Sequence, residues 1–463
     1  MKDIGVYAIG NIGSKLITFL MVPLYTYFVH DTGDFGYYDV CLTLCFLLVP
    51  FVTLQLRDGA FRFLLDSEDD RKRQAVVSFT LRTLALNISL GVVAALVISG
   101  FTAVPYLGYA VALLVAMSLQ EVLSQVFRGL GHNKAFVTVG ILSAFGIGVF
   151  SVVFVAWMGM GIKGIFLANI LARVLALAVV EARVRLLTRH FSRHADVKRV
   201  ARDLLRYSLP LIPGSLCWWL TGSSDRFFIL HYLGLDVNGV YAVAVRFTGI
   251  VQTLAIIFYQ AWQETAILQY DSPDRDRFFS RMFNGYIFVL GALLTGYTFL
   301  LKMCYGWLVD AQYQESLLYI YPLGLSSVIS AVVAFFDMGY QCTKDTARTL
   351  PAVIAAATVN VALNFLLIKP LGVWGVVVTL NVTYLVLVVW RWHDMKRYFN
   401  LRLLPVTAVP VLLMLASLLP FYLGRSVWID AAWMVVVFAV LLLACPKAFR
   451  REVAERFVHK FPH

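Results

Sequence analysis

Residues 84–119 read LALNISLGVVAALVISGFTAVPYLGYAVALLVAMSL, without a single Asp, Glu, Lys or Arg. A helix needs about 20 apolar residues to cross the roughly 30 Å of hydrocarbon in a bilayer. The stretch joins the larger parts of two such segments, 74–100 and 103–127, split only by Gly100 to Pro105. Outward from it, similar apolar segments follow one another to both ends of the chain. Hydrophobic residues make up 60% of the 463 and charged residues 14%, and the mean hydropathy is +0.77. A soluble chain of this length would need far more polar surface to cover its cores. The sequence therefore predicts an all-α polytopic membrane protein.

Fourteen spans are expected, at 4–30, 35–64, 74–100, 103–127, 135–158, 162–187, 206–233, 237–265, 279–301, 315–341, 347–368, 371–393, 401–423 and 427–445. The second carries Arg57, Asp58 and Arg62, and the eighth ends in Gln260, Gln263 and Glu264. The start, MKDIGVYAIGNIG, has no small-residue cleavage site and runs straight into the first span, so no removable signal is expected. The longest hydrophilic run, about Arg183 to Arg206, reads as a connector.

Lys and Arg cluster in every second hinge. Hinge 2–3 has Arg71, Lys72 and Arg73; hinge 4–5 has Arg128 and Lys134; hinge 6–7 runs from Arg183 to Arg206 with eight basic residues. Hinges 8–9, 10–11 and 12–13 and the C-terminal tail continue the pattern with Arg275, Arg277, Arg281, Lys344, Arg348, Arg391, Lys396, Arg397, Arg402 and Lys447 among others. The odd hinges offer only Lys163, Lys302, Lys369 and Arg425. The positive-inside rule then places the even hinges and both termini in the cytoplasm. The net charge of +12 is thereby topological, facing anionic inner-leaflet lipid, and does not call for nucleic acid.

The halves of the chain repeat in one direction. Gly36, Tyr38 and Val40 open the second span, and Gly239, Tyr241 and Val243 open the eighth, both as G-x-Y-x-V. Gly161 and Gly164 at the start of the sixth span match Gly372 and Gly375 at the start of the twelfth. The fourth span ends in Glu121, Gln125 and Arg128, the tenth in Asp337, Gln341 and Lys344, each an acid, amide and base on one helical stripe. Six spans per half makes the repeats parallel, as in a recurrent transporter architecture. The expected organisation is an N-terminal lobe over 1–205, a C-terminal lobe over 206–398, and an added pair of helices with a basic tail over 399–463.

An ionised group at mid-depth costs several kcal/mol unless it meets water, a partner or substrate. At 1.5 Å per residue, Lys15 falls roughly 17 Å from the inner face and Arg246 roughly 12 Å below the outer one. Arg57 and Arg62 lie in the inner third, and Arg226 lies nearer the outer face than Arg246. Asn11, Lys15 and Thr18 share one stripe of the first span. Lys15, Arg57, Arg226, Arg246, Asn11 and Arg62 are the candidate cavity groups. Asp58, Asp225 and Glu264 are candidate coupling acids, and Glu121, Arg128, Asp337 and Lys344 candidate gate residues, with Glu121 reaching Lys344 and Asp337 reaching Arg128 across a cleft. The competing readings are structural. Arg62, Arg128 and Lys344 suit snorkelling to the inner interface, and each acid suits pairing with a base of its own lobe.

Chemistry is otherwise missing from the sequence. There is no Walker A pattern and no zinc-ligand motif. The six cysteines have no metal or redox spacing, and His190 and His194 sit in the basic connector. No catalytic residue, metal or cofactor is expected, and a secondary transporter driven by an ion gradient or the membrane potential is favoured over an enzyme.

The segments NIGSKLITFLMVPLYTYFV (11–29) and SLPLIPGSLCWWLTGSSDRFFILHYLGLDVNGVYAVAVRF (208–247) resemble the polysaccharide biosynthesis flippases of the multidrug/oligosaccharidyl-lipid/polysaccharide exporter superfamily. Ser14-Lys15 before Pro23-Leu24-Tyr25-Thr26, and Asp225-Arg226 before Gly234, Gly239, Tyr241 and Arg246, carry the resemblance. It implies two six-helix lobes in a V around a cationic cavity, with Lys15, Asp225, Arg226 and Arg246 as cavity residues. It also implies an undecaprenyl-pyrophosphate-linked oligosaccharide as substrate, a bacterial inner-membrane location, and glycosyltransferases and a polymerase as pathway partners. The extra terminal pair is similar to that of lipid II flippases. A cation-coupled exporter of the multidrug and toxic compound extrusion type, a lipid II-type flippase and a non-transporting scaffold are the other functional readings.

Overall fold

A computed structural model describes residues 17–445 apart from 18, 66, 68, 194, 344, 346, 347 and 425, together with all but the side chains of 187, 188, 199, 260, 261 and 264. The described residues form helices and no strand. Within hydrocarbon a backbone must satisfy its own N–H and C=O groups, and helices do so inside each segment.

Twelve of the described helical segments are long and apolar enough to cross a membrane. The first expected span enters the description only as α1, Phe19–Phe28, a shorter apolar helix. The seventh is broken. In place of one helix over 206–233 stand α9 (Lys198–Ser208), α10 (Leu211–Ser223) and α11 (Asp225–Tyr232). Pro210 and Pro213 supply no N–H at the first break. At the second, Ser224 turns its hydroxyl back onto the Leu220 carbonyl at 2.7 Å, a bond that bends helices.

The second span is also interrupted, between α2 (Thr32–Thr53) and α3 (Leu56–Leu65). Leu54 and Gln55 take left-handed φ of 49° and 51°, unfavourable by about 1–2 kcal/mol each for residues with a Cβ. Pro50, inside α2, precedes the break by one turn. Asn87 of α4 (Asp70–Phe101) caps the loosened Val52 carbonyl at 2.9 Å.

The chain divides into two compact units, Met1–Ala242 and Val243–His463. In the first, α5 (Leu107–Gly129) packs on α2, α3 and α7 (Gly161–Val184), and α6 (Asn133–Ser151) lies along α7. Leu56, Ala60, Leu64, Val126 and Phe127 form part of its core. In the second, α16 (Thr349–Leu371) lies along α17 (Val373–Met395), and α14 (Leu317–Phe336) packs on α17. The second unit thus has in α16–α17 and α14–α17 the same kind of neighbours that the first has in α6–α7 and α5–α7. The second core is aromatic, with Trp262 stacked on Phe335 at 5.1 Å. The last helices, α18 (Ala408–Ala416), α19 (Leu418–Leu423) and α20 (Val427–Ala444), follow the repeat, and α18 and α20 dock on α13 (Arg275–Leu308). Lys302 of α13 fixes them, reaching Asp430 at 2.8 Å and the Gly424 carbonyl at 3.0 Å.

The two glycines of the repeated G-x-Y-x-V motif meet. A Cβ on Gly36 would overlap the Leu235 carbonyl, and one on Gly239 would overlap that of Thr32. Here α2 crosses the first turns of α12 (Leu235–Gln269) backbone to backbone. Thr32 donates its hydroxyl to Asp236 at 2.7 Å, and the Asn238 amide donates to the Gly36 carbonyl at 2.9 Å. Gly36→Ala and Gly239→Ala should therefore each destabilise the protein by about 1–3 kcal/mol, as overpacking does. Gly91→Ala and Gly140→Ala, with nothing within 4 Å of the added carbon, should be neutral or stabilising. Thermal unfolding in detergent checks this, and equal losses in all four variants would contradict it.

Candidate functional site

The break between α10 and α11 puts Asp225 and Arg226 at the start of a helix. Arg226 is held from two sides, Nε on Asp39 of α2 at 2.8 Å and Nη1 on Asp225 at 3.0 Å. Asp225 also accepts the Arg226 backbone N–H at 3.0 Å and the hydroxyl of Tyr241, the motif tyrosine of α12. The Tyr241 ring lies 5.8 Å from the Arg226 guanidinium. All four side chains are buried, Arg226 at 8% exposure and Tyr241 at 0%. An isolated charge so placed would be expelled from the fold, and this one is tolerable because two carboxylates surround it. Three helices meet at one guanidinium.

A second polar cluster lies in the same unit. Arg57 of α3 reaches Asp58 at 3.3 Å and donates to Glu121 of α5. All three side chains are about one-third exposed or more. Beside them Arg173 donates to Gln120 at 2.6 Å, and Gln120 donates to Ser143 at 3.1 Å. Arg128 lies 4.6 Å from the Phe61 ring and 5.6 Å from that of Phe136. Arg62 is exposed and engages a partner.

In the second unit Asp337 sits 3.0 Å from Arg391, which is fully buried and lies 4.8 Å from the Tyr340 ring. Tyr340 donates to Asp394 at 2.6 Å. Gln263 donates to Gln341 and Gln341 to Tyr259, both at 2.5 Å. Arg246 is half-buried on α12 and has partners of its own.

The candidates Arg57, Asp58 and Glu121 thus come together, as do Asp225 and Arg226. Each gate acid holds a base of its own unit, Glu121 with Arg57 and Asp337 with Arg391. Asn11, Lys15, Lys344 and the Glu264 side chain lie outside the description. Three functional-type residues escaped the sequence reading. Asp39 sits inside the motif, between Tyr38 and Val40; Tyr241 was read only as a motif letter; and Arg391, counted as a hinge charge, lies within α17. No group of three or more His, Cys, Asp or Glu that could hold a metal occurs among the described residues. In the connector, burial and the nearby His132 push the His190 imidazole below its usual pKa. Each unit thus carries acid–base pairs within its helices.

A family model described as "Polysaccharide biosynthesis protein" matches residues 1–263. The structure resembles that of a lipid II flippase, MurJ, in an inward closed conformation, at a TM-score of 0.76 and 13% identity, over 96% of this chain and 99% of that one. An inward-facing multidrug resistance MATE family transporter of the MOP superfamily aligns at a TM-score of 0.63 and 15% identity, over 84% of this chain and 98% of that one. The outward-facing conformation of such a transporter gives 0.59 and 13%, over 86% and 95%. At these identities the likeness is one of fold. No curated protein sequence matches the chain. The fold is that of MOP-type flippases and transporters, on a multi-pass membrane protein.

Removing the centre of the buried cluster should leave two carboxylates uncompensated. Arg226→Leu is expected to cost about 3–5 kcal/mol of stability and most of the folded yield, whereas Asp39→Asn with Asp225→Asn and Arg226→Leu together should recover much of it. Fluorescence-detected gel filtration reads both outcomes.

Proposed function

We propose that this chain, which belongs to the polysaccharide biosynthesis protein family, translocates an undecaprenyl-pyrophosphate-linked oligosaccharide from the cytoplasmic to the outer leaflet of a bacterial inner membrane. The observation that carries the reading is the family match over residues 1–263. The flippase-like fold supports it.

The physical requirement is severe, because a pyrophosphate carries negative charge into a low-dielectric slab and cannot cross unpaired. Lys15, Arg57, Arg226 and Arg246, with Arg62 at the inner rim and Asn11 for the sugar, are the groups of this chain that would neutralise it at successive depths. Arg57 and Arg226 already hold carboxylates. Capture of the substrate by either is then an exchange, in which the pyrophosphate takes the place of Glu121 or Asp39 and no bare guanidinium is formed. The released acid is a site for a cation or proton. Asp58 and Asp225, the other carboxylates on Arg57 and Arg226, are the candidate acids to share that ion, with Glu264 and Asp337 in the same role.

The basic even hinges put both termini in the cytoplasm. The repeats over 1–205 and 206–398 would supply the alternating access, with Glu121, Arg128, Asp337 and Lys344 re-pairing between states. Glycosyltransferases that build the glycan and a polymerase that consumes it are the implied partners. A second reading, an ion-coupled drug exporter, is favoured by the MATE likeness. It sits less well with the basic groups at mid-depth, since organic cations want acids.

Lys15→Ala and Arg246→Ala, matched to wild type for expression, should each reduce glycan export at least about tenfold, the loss of roughly 1.4 kcal/mol or more of anion stabilisation. Surface-glycan staining in a flippase-deficient host measures this. Wild-type export by both variants would remove the proposed path, and rescue of dye efflux in a pump-deficient host would transfer the reading to drug export.

A further inference from the structure

On the basic side of the second unit lies a cavity of about 890 Å³ that the transport reading does not use. It forms where the hinge before α13 meets the segment 400–404 leading toward α18. That segment is strapped to the helix. The Arg402 N–H donates to Ser280 at 2.9 Å, the Asn284 amide donates to the Arg402 carbonyl at 3.0 Å, and the Leu404 N–H donates to Asn284 at 3.0 Å. The strap brings Arg402 into the same cavity as Arg281, which lies between Ser280 and Asn284 on α13.

The charges around it are unequal. Arg275 pairs with Asp276 at 2.9 Å and Arg277 with Asp274 at 3.7 Å. Asp271 also lines the space. Arg281 and Arg402 are exposed, and neither has a carboxylate at ion-pair distance among the described residues. Two guanidiniums against one remaining acid leave the cavity in want of an anion. Immediately after Arg402, Leu403 and Leu404 are 52% and 43% exposed, and the apolar span Pro405–Leu423 begins. Tyr270, of a type that settles at membrane interfaces, also lines the cavity. The Arg pair thus stands at the boundary between hydrocarbon and headgroups.

We propose that this cavity binds an acidic phospholipid of the bilayer, its phosphate between Arg281 and Arg402 and an acyl chain leaving over Leu404, which lines the cavity, toward the exposed apolar start of the following span. Guanidinium forks match phosphate oxygens. A soluble anion would use the arginines but gain nothing from the leucines beside them. A zwitterionic lipid would bring its own cation to a cavity already positive. The site depends on the membrane reading alone, so it stands or falls apart from the identity of the transported substrate.

The test uses the full chain purified in mild detergent, titrated with phosphatidylglycerol or phosphatidylcholine and examined by native mass spectrometry. Wild type should retain phosphatidylglycerol in preference. Arg281→Gln and Arg402→Gln, both at exposed positions, should each weaken that retention roughly five-fold, and Lys72→Gln in hinge 2–3 should leave it unchanged. Thermal unfolding should rise with phosphatidylglycerol in wild type and not in the double variant. Equal retention of the two lipids, equal weakening by Lys72→Gln, or displacement of the lipid by inorganic phosphate would each overturn the proposal.

Discussion

One buried guanidinium organises the first unit. Arg226 cannot be moved into hydrocarbon alone, and the cost of burying it is offset only where Asp39 and Asp225 converge on it. That demand fixes α11 against α2, and the Tyr241 hydroxyl on Asp225 brings in the start of α12. The Gly36–Gly239 crossing is a second contact of the same helix, setting α2 backbone to backbone against the start of α12, which carries Tyr241. The repeated G-x-Y-x-V motif then has a physical meaning. Its glycines permit the approach, and one of its tyrosines completes the charge cluster.

The helix breaks follow from the same economy of polar groups. Continuous helices would leave no place for Arg226 to begin a new one beside Asp225, nor for Gln55 to leave the helical path. The broken seventh span and the left-handed pair Leu54 and Gln55 are irregular backbone at membrane depth. Such backbone persists only where protein or a hydrated cavity surrounds it.

The membrane class, the helical architecture and most of the spans are readable from sequence because hydrocarbon thickness imposes a segment length and water penalises apolar hinges. The breaks are not. The seventh span is long enough to read as one crossing, and residues of the type of its Pro210, Pro213 and Ser224 also occur in intact membrane helices. The charged residues could be found but not their partners. Arg57, Asp58 and Glu121 lie on two helices whose facing sides only packing decides. Arg391 follows a run of apolar residues near the end of α17 and reads as a hinge charge, although it is fully buried against Asp337. Asp39 lies near the start of its span, where an acid looks interfacial, and nothing in the chain points from it to Arg226, 187 residues later.

The account makes the chain a carrier for a charged, lipid-linked glycan, and reconstitution tests that claim most directly. The purified chain in liposomes, loaded with undecaprenyl-pyrophosphate-linked oligosaccharide, would be followed by the accessibility of the glycan to an externally added glycosidase. The account predicts that glycan sealed in the inner leaflet becomes accessible far faster with the chain than in protein-free vesicles, and that an uncharged glycolipid carrying the same glycan without the pyrophosphate stays protected. Equal rates with and without the chain would contradict it.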